Sequence, residues 1–195
     1  MDNQGKKYDS IAEGFAKMRD SFYKEQKYLD ELIKLIPSQS SVLDVGCGSG
    51  YPIASYLIEK GFKVTGIDGS QKLLDIAKEK CPKMRRILGD VRSVTLNEKF
   101  DAVVEWWCLF HIPKQKHEMM IHRFSEWLKP NGILEFTSGD AAYEAASSDM
   151  LDQELHFYSL DPSEYEKYLK QYNFKIILKE SDQPEHLVWI AQKLK

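Results

Sequence analysis

The sequence predicts an α/β fold: a doubly wound sheet, mostly parallel, with one antiparallel strand near the C-terminus. Three observations carry this. From residue 42 onward, short apolar runs alternate with helical segments, the pattern of βαβ units. A glycine-rich stretch, Gly46-Cys47-Gly48-Ser49-Gly50, follows directly on the first run. Two apolar runs near the end, 174–179 and 187–192, are too close for a crossover connection, so they pair as a hairpin and one opposes the rest.

Taken in order, residues 20–36 put Tyr28, Leu32 and Leu35 or Ile36 on one helical face, stopped by Pro37-Ser38. Residues 42–45 form a buried strand, 51–60 a helix ending at Gly61, and 62–67 the second strand. Ser70 caps a helix reaching about Lys80. The third and fourth strands are 84–88 and 100–106. A helix over 114–129 ends at Pro130-Asn131-Gly132, ahead of a strand over 133–137. Residues 138–160 show no periodicity and carry small and acidic residues. A capped helix starts near Asp161-Pro162 and runs to about Tyr172. The expected organisation is one domain over 1–195, with a helical lid about 1–37 and a pocket-shaping segment about 138–160.

Composition narrows the class. The 195 residues are 43% hydrophobic and 29% charged, as in ordinary globular domains, with a net charge of −3. That charge argues against nucleic acid as a partner, and the densest basic cluster, Lys83-Met84-Arg85-Arg86, is short. Cys47, Cys81 and Cys108 are odd in number, scattered and not spaced as metal ligands, so they read as reduced thiols of a cytoplasmic protein. The polar opening MDNQGKKYDS lacks a signal-peptide core, and no stretch approaches the ~20 apolar residues of a membrane helix.

The stretch Val42-Leu43-Asp44-Val45-Gly46-Cys47-Gly48-Ser49-Gly50 reads Asp-x-Gly-x-Gly-x-Gly. A dinucleotide fingerprint would need GxGxxG, but Tyr51 stands where its third glycine or alanine should be. From 41 to 195 the chain resembles the class I, Rossmann-like S-adenosylmethionine-dependent methyltransferases. Leu128-Lys129-Pro130-Asn131-Gly132 resembles that family's turn before the fifth strand, with Asn131 replacing a glycine.

The resemblance implies S-adenosylmethionine as cofactor. Asp44 and the backbone at Gly46, Cys47 and Gly48 would surround its amino-acid end. Asp68, followed by Gly69, would accept the ribose hydroxyls. Gly89-Asp90-Val91 would meet the adenine, Asp90 accepting from its amino group. Glu105, Trp106 or Trp107 would lie beside the sulfonium, and Tyr8 would fold over the cofactor. His111, Glu105 and His156 are the titratable candidates near the acceptor, His111 as base or as orienting hydrogen-bond partner. Cys108 reads as a buried structural thiol, His117 and His122 as surface residues, and His186 as part of the terminal turn. No Asn/Asp-Pro-Pro-Tyr or Pro-Cys motif is present, which disfavours DNA-base methylation. A small-molecule acceptor is expected; a protein or RNA methyltransferase and a catalytically silent cofactor-binding module are the alternatives.

Overall fold

The computed structural model describes residues 4–22 and 24–195. Two helices, α1 (Gln4–Met18) and α2 (Glu25–Leu35), precede β1 (Ser41–Val45), α3 (Ile53–Glu59), β2 (Lys63–Asp68), α4 (Gln71–Lys80), β3 (Arg85–Leu88) and β4 (Phe100–Glu105). Two 3-10 turns, Leu109–His111 and Lys114–Lys116, lead into α5 (His117–Trp127) and β5 (Leu128–Gly139). Then come β6 (Tyr143–Met150), β7 (Gln153–Ser159), α6 (Pro162–Gln171), β8 (Phe174–Gln183) and β9 (His186–Lys193).

The seven-stranded sheet has the order β3-β2-β1-β4-β5-β9-β8, and β9 alone runs opposite to the other six strands. The sequence-based fold class is therefore the observed one. Strand order reverses between β1 and β4, and in such sheets ligands enter at the carboxyl ends of the strands beside that switch.

Alternation along the strands sorts residues into two cores. Val42, Ala102, Val104 and Ile133 pack under Tyr28, Leu29 and Leu32 of α2 and against α3. Leu43, Val103, Leu134 and Trp189 pack under α5 and α6 on the opposite face. Asp44, Val104, Glu135 and Ile190 stand in register across four strands, so Asp44 and Glu135 share the α2 face.

Several local expectations change. The helix expected over 20–36 begins only at Glu25. The expected lid contains a further helix, α1, whose Ala12 and Ala16 pack on Leu73 of α4; residues 1–3 and 23 lie outside the described residues. Residues 138–160 are not irregular: β6 and β7 pair as a hairpin through Leu151-Asp152, both with positive φ (52° and 61°), as a two-residue hairpin loop requires. Most of β6 is exposed, so no alternating pattern marks it in sequence. β5 begins at Leu128, with Asn131 left-handed (φ 64°) and a shift in pairing beside Phe100 absorbing the expected turn. His117 is fully buried, bonded to the Tyr165 hydroxyl (2.7 Å) and the Ile112 carbonyl (2.6 Å), not a surface residue.

Candidate active site

A cleft opens over the carboxyl ends of β1, β2, β3 and β4. The turn after β1 takes Gly46 and Gly48 through the left-handed region (φ 76° and 52°). A Cβ on Gly46 would lie 2.6 Å from the Cys108 Cβ, so the loop can pass there only as glycine. Asp68, ending β2, binds this loop to the next helix: its Oδ2 accepts from the Gly48 N–H and its Oδ1 from the Ser70 N–H, each at 2.8 Å. Burial pushes its carboxyl up to about 6 against the pull of those N–H groups.

Asp44 is buried, and its Oδ2 has no hydrogen-bond partner. Burial and the nearby Asp68 push this carboxyl up to about 7, with Arg19 opposing them. Arg19, just past α1, is a cleft residue that sequence reasoning missed. It is buried, paired with the fully buried Glu25, and its guanidinium lies 4.9 Å from the Trp107 ring. Asp90 and Val91 line the cleft beyond β3, and Asp90 holds the Arg92 side chain through Nε (2.8 and 3.0 Å).

The segment after β4 builds the other wall. Trp106 packs on Tyr28 (5.8 Å between centroids), and its indole N–H has no hydrogen-bond partner. Trp107 adopts φ 60°, unusual for a bulky residue, and is held from two sides. Its backbone N–H donates to Thr137 Oγ1 (3.0 Å), and its indole N–H donates to His186 Nε2 (2.8 Å). His186 Nδ1 in turn binds the carboxylate of Asp182, whose side chain is 2% exposed. His186 is thus a buried residue at the start of β9 rather than part of a turn.

His111 lines the cleft, with Nδ1 3.0 Å from the His156 carbonyl and Nε2 2.8 Å from the Tyr8 hydroxyl. A carbonyl only accepts, so Nδ1 carries the proton and Nε2 accepts from Tyr8. Burial pushes the imidazole down to about 4, keeping it neutral. Phe110 and Phe157 flank it at centroid distances of 4.6 and 5.1 Å. The cover is tied down from α1, where Lys7 donates to the Glu154 carbonyl (3.2 Å), Ser10 to Gln153 Oε1 (2.8 Å), and Asp9 accepts from Ser70 Oγ (2.6 Å).

Two expected site residues, Glu105 and His156, are placed differently. Glu105 neither lines the cleft nor faces it. Being adjacent to Trp106 in the strand it projects to the opposite face, and its fully buried carboxylate accepts from the N–H groups of Cys108 (2.5 Å), Leu109 (2.6 Å) and Thr137 (3.1 Å). It shapes the loop. The His156 ring stacks beside Tyr158 and lies 3.7 Å from Glu154, while its carbonyl meets His111 Nδ1. Cys108, read as a buried structural thiol, is half-buried: it packs on the core beneath α5 and also lines the cleft against Gly46.

Comparison with known proteins agrees with this layout. Residues 42–132 match the methyltransferase domain family model. The uncharacterized methyltransferase OB1106 of Oceanobacillus iheyensis is 30% identical over 203 residues, spanning 95% of this chain and 92% of that one. The chain belongs to the methyltransferase domain family. It is a class I, Rossmann-like, S-adenosylmethionine-dependent methyltransferase. The methyltransferase spans 54% of the length of a second relative, the methyltransferase-named YqeM of Bacillus subtilis, at 37% identity over 136 residues. Its fold is shared by 1,6-didemethyltoxoflavin-N1-methyltransferase of Burkholderia thailandensis (TM-score 0.78, 17% identity, 98% of this chain and 88% of that one). The CcbJ methyltransferase of Streptomyces caelestis shares it end to end (TM-score 0.79, 14% identity, 100% of both chains). Among the described residues no helix is long and apolar enough to cross a membrane.

Proposed function

We propose that this methyltransferase passes the methyl group of S-adenosylmethionine to a small-molecule acceptor held beneath α1 and the β6–β7 hairpin. The observation that carries the reading is the division of the cleft. Arg19, Asp44, Asp68, Asp90 and Arg92 occupy the glycine-loop side, whereas Tyr8, Phe110, His111, Met150 and Phe157 form the side under the cover.

The residues fit the cofactor. S-adenosylmethionine ends in a zwitterion, and a buried guanidinium beside a buried carboxylate oxygen lacking a partner matches a carboxylate and an ammonium. Arg19 would hold the carboxylate and Asp44 the ammonium, with the backbone at Gly46, Cys47 and Gly48 around them. Asp68 keeps lone pairs for ribose hydroxyls beyond its two backbone bonds. Gly69, Gly89, Asp90 and Val91 would surround the base. When bound, the cofactor supplies an electrophilic methyl group on a sulfonium. Trp106 and Trp107 offer aromatic faces suited to a cation, Tyr8 closes over the site, and His111 meets the acceptor. Holding acceptor and methyl group together lets proximity do much of the work. The Burkholderia protein that shares the fold holds a small molecule together with S-adenosylhomocysteine, and the reading follows it in that respect.

Calorimetry tests the cofactor half. S-adenosylmethionine and S-adenosylhomocysteine should bind and NAD should not. Asp68→Ala should weaken both by about 1–3 kcal/mol, the cost of buried groups left unmatched. NAD binding in place of S-adenosylhomocysteine would overturn the reading.

A further inference from the structure

The covered side of the cleft has a chemistry of its own. Among the described residues, those lining it from α1, the turn after β4 and the hairpin include no carboxylate, guanidinium or ammonium. The group at its centre, His111, is neutral and presents an unprotonated Nε2 because the His156 carbonyl fixes the proton on Nδ1. Around it stand Phe110 and Phe157, 5.4 Å apart, and Tyr8, 5.6 Å from the imidazole and edge-on to it. The chain itself thus shows what this spot accepts. A phenol, that of Tyr8, lies between aromatic rings with its hydroxyl on Nε2.

We infer that the acceptor is an uncharged, flat aromatic ring bearing a hydroxyl or ring N–H, which binds among Phe110, His111 and Phe157 and gives its proton to His111 Nε2 where the Tyr8 phenol now sits. This rests on the methyl-transfer reading and narrows its substrate class. The transfer balances: the acceptor oxygen or nitrogen forms its bond to the methyl carbon as the carbon–sulfur bond breaks. Sulfur keeps that electron pair, and the acceptor's proton passes to Nε2. The acceptor's proton becomes acidic as its oxygen or nitrogen bonds to carbon, and His111 Nε2 lies within hydrogen-bond reach of it at the place the Tyr8 hydroxyl occupies. An anionic or cationic substituent carried into this wall would find no charged side chain of these elements in the lining to pair with, the nearby Lys7 ammonium already being bound to the Glu154 carbonyl.

The test measures binding, with the protein saturated with S-adenosylhomocysteine and titrated calorimetrically with three probes. These are 2-naphthol, 2-methoxynaphthalene (the same ring without the donor) and naphthalene-2-sulfonate (the same ring with a charge). The expected result is 2-naphthol binding about tenfold tighter than either, the worth of one buried hydrogen bond. Tyr8→Phe, which removes the competing hydroxyl and keeps the ring, should tighten 2-naphthol by about threefold to tenfold. His111→Ala should bring 2-naphthol and 2-methoxynaphthalene within about twofold of each other. Unchanged S-adenosylhomocysteine affinity in His111→Ala shows that the variant is folded. Equal or tighter binding of the sulfonate, or weaker 2-naphthol binding in Tyr8→Phe, overturns the inference while leaving the methyltransferase reading intact. Failure of S-adenosylhomocysteine to bind the unaltered protein overturns both.

Discussion

The two walls of the cleft differ in charge and in how they are held. The glycine-loop wall is built on strand ends and buries ionisable groups: Arg19, paired with Glu25, Asp68, held by backbone N–H groups, and Asp44, whose Oδ2 has no hydrogen-bond partner. The wall under the cover is neutral and aromatic. It is tied to α1 and the hairpin through a few exposed hydrogen bonds, such as those of Lys7 and Ser10. Rigid strand ends suit an invariant charged ligand, and a separately attached neutral cover suits selection among acceptors.

Breaking the charged wall should give the largest effect. Arg19→Ala leaves Glu25, fully buried, without its ion-pair partner. Glu25 keeps the Lys24 N–H (3.0 Å), and removing one member of a buried ion pair costs about 3–5 kcal/mol. Arg19→Met combined with Glu25→Gln should recover most of the thermal stability but not S-adenosylhomocysteine affinity. Full recovery of both would remove Arg19 from the cofactor's carboxylate. Neither step should alter relative preferences among acceptors that still bind, because the neutral wall does not touch Arg19's charge.

A smaller and graded effect concerns pH. With its folded-state carboxyl raised to about 7 from 3.8, Asp44 adds to stability below pH ~4, and that contribution is lost as pH rises through about 7. A ligand ammonium reverses the preference by favouring the carboxylate. Cofactor affinity should therefore climb as pH rises from 6 to 8, approaching about tenfold per unit on the acid side of 7. Asp44→Asn should bind weakly at pH 8 and flatten the profile measured by calorimetry. A pH-independent affinity in the unaltered protein would break the link between Asp44 and the ammonium.

The same contrast governs what could be read from residue order. Asp44, Gly46 and Gly48 were visible because a strand end that turns at positive φ admits few residue types. Arg19 was hidden, since it follows a helix whose buried stripe is mostly small, and its partner Glu25 belongs to the next helix. Tyr8, Ala12, Phe15 and Ala16 do recur at helical spacing, and that signal could have revealed α1. The hairpin was unreadable because a ribbon standing off the sheet, with exposed Glu144, Ala145 and Ala146, needs no apolar alternation. Glu105 misled because closeness in sequence to Trp106 means the opposite face in a strand. His117 misled because its burial depends on Tyr165, 48 positions away.

The smallest expected effect lies where the two walls join, at Trp107. Its ring bears on Arg19 from one side, while the Asp182–His186 pair anchors its indole N–H from the other. Trp107→Phe keeps an aromatic face but gives up that hydrogen bond, worth about 0.5–1.5 kcal/mol, so S-adenosylhomocysteine affinity should fall by roughly threefold to tenfold. His186→Ala strands both the indole N–H and the buried Asp182 carboxylate and should cost more stability. If both variants act by releasing Trp107, their effects on cofactor affinity will not add: Trp107→Phe with His186→Ala should bind about as well as Trp107→Phe alone. Indole fluorescence gives a second readout, because release of the ring from His186 should alter the Trp107 contribution in His186→Ala before any ligand is added. Additive losses in the double variant would mean that His186 supports β9 and the sheet edge, with no particular claim on the cleft.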